Sequence, residues 1–162
     1  MDVRDYLRKN IEPGQRIALL GIGSTLRSDD AAGMFFIERI RELVQQDRML
    51  PIAGSTAPEN FTGVIKEFVP DKLFIIDAAH MGIKPGEARV VPASDIAGVS
   101  FSTHMLPLPV MLKYLEAEVG CEVVFIGIQP KCTEQGLFMS EEVKRGTERL
   151  VEDFYDALAR KA

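Results

Sequence analysis

The chain has 162 residues, of which 46% are hydrophobic and 27% charged, and its formal net charge is −5. This length and composition predict one globular domain with a full hydrophobic core, and the acidic balance argues against nucleic acid as the main partner. No apolar run approaches the ~20 residues that cross a membrane, so we expect no membrane insertion. Residues 1–15 are charged and contain no apolar segment, which excludes a secretory signal and predicts a cytoplasmic protein.

Apolar strands and amphipathic helices alternate along the chain. Residues 16–22 form a short continuous apolar run closed by glycines, typical of a strand buried on both faces. Residues 31–46 then change to the helical period, with Phe36 and Ile40 on one face. Further strands are predicted at 50–56, 71–79, 87–93 and 121–130. Further helices are predicted at 3–11, 58–68, 108–118 and 140–161, the last with Ser140 as its N-cap.

This alternation predicts an α/β fold, a three-layer α/β/α sandwich around a mostly parallel twisted sheet of about five strands. The strand at 87–93 follows the strand at 71–79 too closely for a helical crossover, so we expect it to be the one antiparallel strand. The absence of repeats and long linkers predicts a single domain over 1–162.

Two cysteines, Cys121 and Cys132, stand in a spacing that matches no metal-binding motif. In a chain without an export signal, two reduced thiols are a simpler interpretation than a disulfide. Neither cysteine has a histidine near it in sequence, and no serine lies in a G-x-S-x-G motif, so a nucleophilic triad has little support.

The glycine-containing loop "GIGSTLRSDD" after the first strand does not match a phosphate-binding motif. Leu26 occupies the third glycine position of the dinucleotide fingerprint, and the G-K-[ST] of a Walker loop is absent. The neighbouring carboxylates Asp29 and Asp30 would also repel a phosphate. The loop therefore argues against nucleotide binding.

Ligands of open α/β sheets bind beyond the carboxyl ends of the strands, near the point where strand order reverses. Asp29 and Asp30 lie just past the first strand, and Asp77 ends the strand "LFIID", directly after four apolar residues. His104 stands on a turn that leads into a helix. We therefore expect these residues at one edge of the sheet.

Asp30, Asp77 and His104 together offer two carboxylate oxygens and one imidazole nitrogen, a facial donor set for a first-row divalent ion. Other interpretations are open. Either neighbouring aspartate could cap the following helix, and we assign the cap to Asp29 and the inward-facing role to Asp30. Asp77 could bond only backbone amides, His104 could be an ordinary loop histidine, and His80 could compete as a ligand.

Five stretches, taken in order, resemble the nickel–iron hydrogenase maturation endopeptidases, and most of all the branch that processes hydrogenase 3 type (formate-hydrogenlyase) large subunits. They are "GIGSTLRSDDAAG", "GSTAPENFTG", "LFIIDAAHMGIKPGEARVV", "STHMLPL" and "VVFIGIQP". The resemblance implies a cytoplasmic endopeptidase that removes a C-terminal peptide from the nickel-loaded large-subunit precursor. We expect the protein to be a monomer. Nickel supplied by that precursor would be the recognition element.

The resemblance also implies the site residues. Family ligands of nickel correspond to Asp30, Asp77 and His104, and the two aspartates correspond to the catalytic residues of an aspartic-type or metal-dependent hydrolysis. His80 matches no family ligand. Zinc or cadmium is expected as a surrogate ion.

The chain departs from the family pattern in its loop, where Ser24 replaces the usual asparagine and "DDAAG" replaces the usual D-D-G-x-G. Residues 1–15 are an N-terminal extension beyond the usual start of the family. These departures concern loop shape and substrate choice, because no ligand is lost. The alternative function is a nickel-binding checkpoint or carrier protein that uses the same ligands without proteolysis.

Overall fold

The computed structural model describes residues 1–44, 47–96, 99–101 and 108–160. The strands are β1 Ile17–Ile22, β2 Met49–Ser55, β3 Lys72–His80, β4 Ala88–Val91, β5 Ser100–Phe101 and β6 Glu122–Ile128. The helices are α1 Val3–Asn10, α2 Ala32–Leu43, α3 Thr62–Phe68, α4 Leu108–Val119 and α5 Glu141–Ala159. Short 3₁₀ helices over Ser28–Ala31 and Pro58–Phe61 precede α2 and α3.

The sheet has the strand order β2-β1-β3-β6-β4. The first four of these strands run parallel to one another, and β4 runs antiparallel to β6, as predicted. The two-residue strand β5, which was not predicted, pairs antiparallel with the end of β3. Strand order reverses at β1 and β3, so the carboxyl ends of these neighbouring strands form the predicted ligand-binding edge.

Alternate residues of the central strands enter two separate hydrophobic clusters, as the period of a strand requires. On one face, Ile17, Leu19 and Phe74 pack with α1, α2 and α5. On the other, Ala18 and Leu20 pack with α3 and α4. This arrangement confirms the three-layer α/β/α sandwich.

The first helix belongs to this core. Val3, Leu7 and Ile11 are each at most 3% exposed and join the cluster that contains α5. The Met1 carbonyl accepts a hydrogen bond from the Val90 amide of β4. The N-terminal extension therefore covers one face of the sheet and extends its edge.

A glycine brings α2 directly against the sheet. A Cβ added to Gly33 would lie 2.4 Å from the Ile22 carbonyl oxygen of β1 and 2.3 Å from the Ile76 carbonyl oxygen of β3. Only a residue without a side chain allows so close an approach. The start of α2, and the aspartates that precede it, are thereby placed at the carboxyl ends of β1 and β3.

Two further predictions concern the two cysteines and membrane insertion. No disulfide joins Cys121, which is buried, and Cys132, which is exposed. Within the part of the chain that the structure describes, no helix is both long and apolar enough to cross a bilayer.

Candidate functional site

The loop after β1 turns back on itself at Gly23. Gly23 has a φ of +135°, and a Cβ there would lie 1.8 Å from the Asp30 carbonyl oxygen. A side chain is excluded both by this backbone conformation and by the lack of space. The loop then enters the 3₁₀ helix Ser28–Ala31, which carries Asp29 and Asp30, both buried.

Asp30 turns its carboxylate back toward the start of the loop. Its Oδ2 accepts a hydrogen bond of 2.9 Å from the Ser24 amide. Its Oδ1 is buried and has no hydrogen-bond partner among the residues that the structure describes. A buried carboxylate oxygen without a partner carries a large desolvation cost, and a cation would offset it. The oxygen donors at this position therefore suit a divalent ion.

Asp77 also lies near Gly23. It is 0% exposed, and its Oδ1 lies 3.8 Å from the position of a Cβ on Gly23. The structure corrects one boundary, because β3 continues to His80 and Asp77 lies within the strand instead of ending it. The prediction that Asp30 and Asp77 share one edge of the sheet is confirmed.

The predicted third ligand, His104, lies outside the described residues, and its role as a ligand stays a prediction. The described segment stops at Phe101, which pairs with Ala79 of β3 just beyond Asp77. The described residues contain no group of three or more histidine, cysteine or acidic side chains that could hold a metal ion. His80, the alternative ligand, is exposed at the end of β3.

Asp29 does not cap α2, contrary to our prediction. Ala31 occupies the N-cap position of α2, which has no side-chain capping bond. The Asp29 carboxylate instead accepts hydrogen bonds from the amides of Lys131, Cys132 and Ser140 and from the Ser140 hydroxyl. The prediction fails because the 3₁₀ helix before α2 directs this side chain across the molecule.

Ser140 is the N-cap residue of α5, as predicted, but its side chain makes no capping bond within that helix. Its hydroxyl lies 2.7 and 2.8 Å from the two carboxylate oxygens of Asp29. The start of α5 is therefore tied to the loop after β1.

Backbone hydrogen bonds also join residues 26–29 to the segment 131–140. The Ser28 amide donates to the Gly136 carbonyl, and the Gly136 amide donates to the Leu26 carbonyl. The Asp29 amide donates to the Cys132 carbonyl. Sequence analysis missed this segment because its contacts join residues more than a hundred positions apart, as with Asp29 and Lys131.

An exposed ion pair ties the same segment to the first turn of α5. The Lys131 ammonium lies 2.7 Å from a Glu142 carboxylate oxygen. This hydrogen-bonded contact raises the pKa of Lys131 and lowers the pKa of Glu142. Since both groups face solvent, the pair orients the segment more than it stabilises the fold.

Comparisons with known proteins agree with this geometry. The family model described as hydrogenase maturation protease matches residues 36–157. The chain is 35% identical to the hydrogenase 3 maturation protease of Escherichia coli K12, over 80% of this chain and 83% of that protein.

Solved structures give the same result. A nickel–iron hydrogenase maturation protease from Thermococcus kodakarensis superposes with a TM-score of 0.82 and is 36% identical, covering 90% of this chain and 94% of that one. An endopeptidase from Escherichia coli superposes with a TM-score of 0.75 at 32% identity, covering 87% and 90%. The chain therefore belongs to the hydrogenase maturation protease family.

Proposed function

We propose that the protein is an endopeptidase that removes a C-terminal peptide from the nickel-loaded large-subunit precursor of a nickel–iron hydrogenase. The observation that carries this proposal is the buried pair Asp30 and Asp77 at the carboxyl edge of β1 and β3. Membership of the hydrogenase maturation protease family supports the reaction class.

Recognition of the precursor would take place through the nickel that it carries. Asp30 and Asp77 supply carboxylate oxygens, whose two negative charges balance a dication, and His104 is proposed to add an imidazole nitrogen. Three such donors would leave the other coordination positions of the ion to the precursor. The protease would thus complete the coordination of its substrate's metal.

Hydrolysis of the peptide bond needs an activated water and a polarised carbonyl. A bound divalent ion can supply both, because it polarises a carbonyl oxygen and lowers the pKa of a coordinated water. The chain's own residues would hold the ion and accept the proton of the water. Asp30 and Asp77 are the candidates for both roles. The catalytic type is aspartic or metal-dependent according to which of these roles the aspartates perform.

The surface formed by the loop after β1 and the segment 131–140 suits a polypeptide substrate. Leu26, Leu137 and Phe138 are 63%, 74% and 85% exposed, and they lie on these two segments, which are hydrogen-bonded to each other. Exposed apolar side chains grouped in this way are typical of protein contact surfaces. A small polar substrate would gain nothing from them.

The test is the intact mass of a hydrogenase 3 type large-subunit precursor after incubation with the protein, with and without nickel loading. We expect the loaded precursor to lose a short C-terminal segment and the nickel-free precursor to remain intact at any enzyme level. Equal cleavage of both would contradict recognition through nickel. An unchanged mass of the loaded precursor would instead favour the checkpoint or carrier function.

Zinc or cadmium is the expected surrogate in the isolated protein, because borderline divalent ions accept the same oxygen and nitrogen donors.

A further inference from the structure

We propose that Asp29 is a positioning residue of the site, which acts by holding the segment 131–140 against the loop that carries Asp30. We call the Asp29 carboxylate and its partners Lys131, Cys132 and Ser140 the Asp29 clamp. The inference rests on the proposed function for the role of Asp30. The contacts of the clamp itself are independent of that role.

Every partner of the Asp29 carboxylate is a hydrogen-bond donor. Oδ1 accepts from the Ser140 amide at 2.7 Å, and Oδ2 accepts from the amides of Lys131 and Cys132, both at 2.9 Å. The Ser140 hydroxyl lies within hydrogen-bond distance of both oxygens. An ionised carboxylate accepts at both oxygens, and its bonds to amides are charge-assisted and short. The site of Asp29 is therefore built for a negative charge.

The clamp determines the direction of the neighbouring carboxylate. Asp29 and Asp30 are consecutive in the 3₁₀ helix Ser28–Ala31, so the backbone that directs one side chain across to Ser140 directs the other toward Ser24. The Ser24 amide is the single hydrogen-bond donor that the described residues provide to the Asp30 carboxylate. The orientation of Asp30 therefore depends on how firmly the 3₁₀ helix is held, and the Asp29 clamp holds it.

Asparagine cannot replace Asp29 in this role. Whichever way its amide is oriented, the NH₂ group would face the Ser140 amide or the amides of Lys131 and Cys132, which are donors themselves. An N-cap asparagine, in contrast, serves about as well as aspartate. Asp29→Asn therefore separates the clamp from a helix cap.

The experiment compares wild type, Asp29→Asn, Ser140→Ala and Asp71→Asn in cleavage of the nickel-loaded precursor and in titration with Ni²⁺ alone. Asp71 is the matched control, because its carboxylate also accepts a backbone amide, that of Arg16, but at the opposite end of β1. Rates and affinities are referred to the fraction folded by circular dichroism. Hydrogen exchange of the amides of Lys131, Cys132 and Ser140 reports on the clamp directly.

For Asp29→Asn we expect faster exchange at these amides and a loss of about 10–100-fold in kcat or in Ni²⁺ affinity, the range typical of residues that orient metal ligands. Titration with Ni²⁺ alone separates the orientation of Asp30 from docking of the precursor, because Leu137 and Phe138 lie on the segment that the clamp holds. Ser140→Ala, which keeps its backbone amide, should lose less. It also keeps the test decisive if Asp29→Asn does not fold. Asp71→Asn should match wild type.

Cleavage and Ni²⁺ binding by folded Asp29→Asn at wild-type levels would overturn the positioning role, as would an equal loss in Asp71→Asn. If Asp29→Asn does not fold, wild-type values for Ser140→Ala would overturn it. If the wild type binds Ni²⁺ but does not cleave the precursor, the proposed endopeptidase function is refuted. The positioning role of Asp29 is then judged from the Ni²⁺ affinities of the variants. A wild type that neither binds nor cleaves would refute both.

Discussion

Two neighbouring aspartates have opposite surroundings in this protein. Both carboxylate oxygens of Asp29 accept hydrogen bonds from distant residues, whereas Asp30 accepts a local one at Oδ2 and keeps Oδ1 without a partner in the described ranges. A carboxylate with satisfied oxygens stabilises a loop, and one with an unsatisfied buried oxygen is suited to bind a ligand. Burial alone does not distinguish them, because both are at most 2% exposed.

Asp30→Asn should remain folded but lose precursor cleavage. The carbonyl oxygen of asparagine can keep the hydrogen bond from the Ser24 amide, and its NH₂ group then occupies the position of Oδ1. The replacement removes the negative charge, and a neutral amide is a poor ligand for a dication. The measurements are intact mass of the nickel-loaded precursor and thermal unfolding of the variant. Normal processing by this variant would exclude Asp30 from the site.

At the level of elements, the site depends on how closely α2 approaches β1 and β3. Gly33 lies where the helix meets the carbonyls of Ile22 and Ile76. Both contacts are with backbone atoms of central strands, which cannot move without disturbing the sheet. The position of the helix start, and with it the aspartate loop, therefore depends on the absence of a side chain at Gly33.

Gly33→Ala should lower the free energy of unfolding by about 1–3 kcal/mol, the usual cost of overpacking a core. Gly63 of α3 is the matched control, because a Cβ there has nothing within 4 Å. Gly63→Ala should instead raise stability by up to about 1 kcal/mol through helix propensity. Urea denaturation of both variants measures the difference. Equal effects at the two positions would contradict the close approach.

On the scale of the whole molecule, the N-terminal helix is part of the core and not an appendage. Its apolar residues pack with α5, and ion pairs of Arg4 with Asp153 and Asp156 lie over the same contact. The pairs are partly exposed and contribute little, so burial of the apolar face holds the helix in place.

Leu7→Ala should lower the free energy of unfolding by about 2–5 kcal/mol, as expected for a fully buried leucine. Leu137→Ala is the matched control, because Leu137 is 74% exposed, and it should change stability by at most about 0.5 kcal/mol. The midpoints of chemical denaturation give both values. A small effect at Leu7 would mean that residues 1–15 are dispensable for the core.

Local patterns in the sequence predicted the main strands and helices, although not β5 or the 3₁₀ helices, and they placed Asp30 and Asp77 at one edge of the sheet. The apolar run before Gly23 and the run that contains Asp77 predict buried parallel strands, and the short spacing to the next strand predicts antiparallel β4. Parallel strands bring their carboxyl ends together, so the proximity of Asp30 and Asp77 follows from topology. These inferences succeed because periodicity and connection length are properties of neighbouring residues.

Contacts between distant residues were decided by the tertiary structure alone. The partners of Asp29 come from the segment 131–140, and no local pattern connects that segment with the loop after β1. The capping interpretation of Asp29 was the local one, and it was wrong because a 3₁₀ helix intervenes before α2. A side chain's direction depends on the backbone that carries it and on the donors that meet it, and those donors are assembled only when the chain folds.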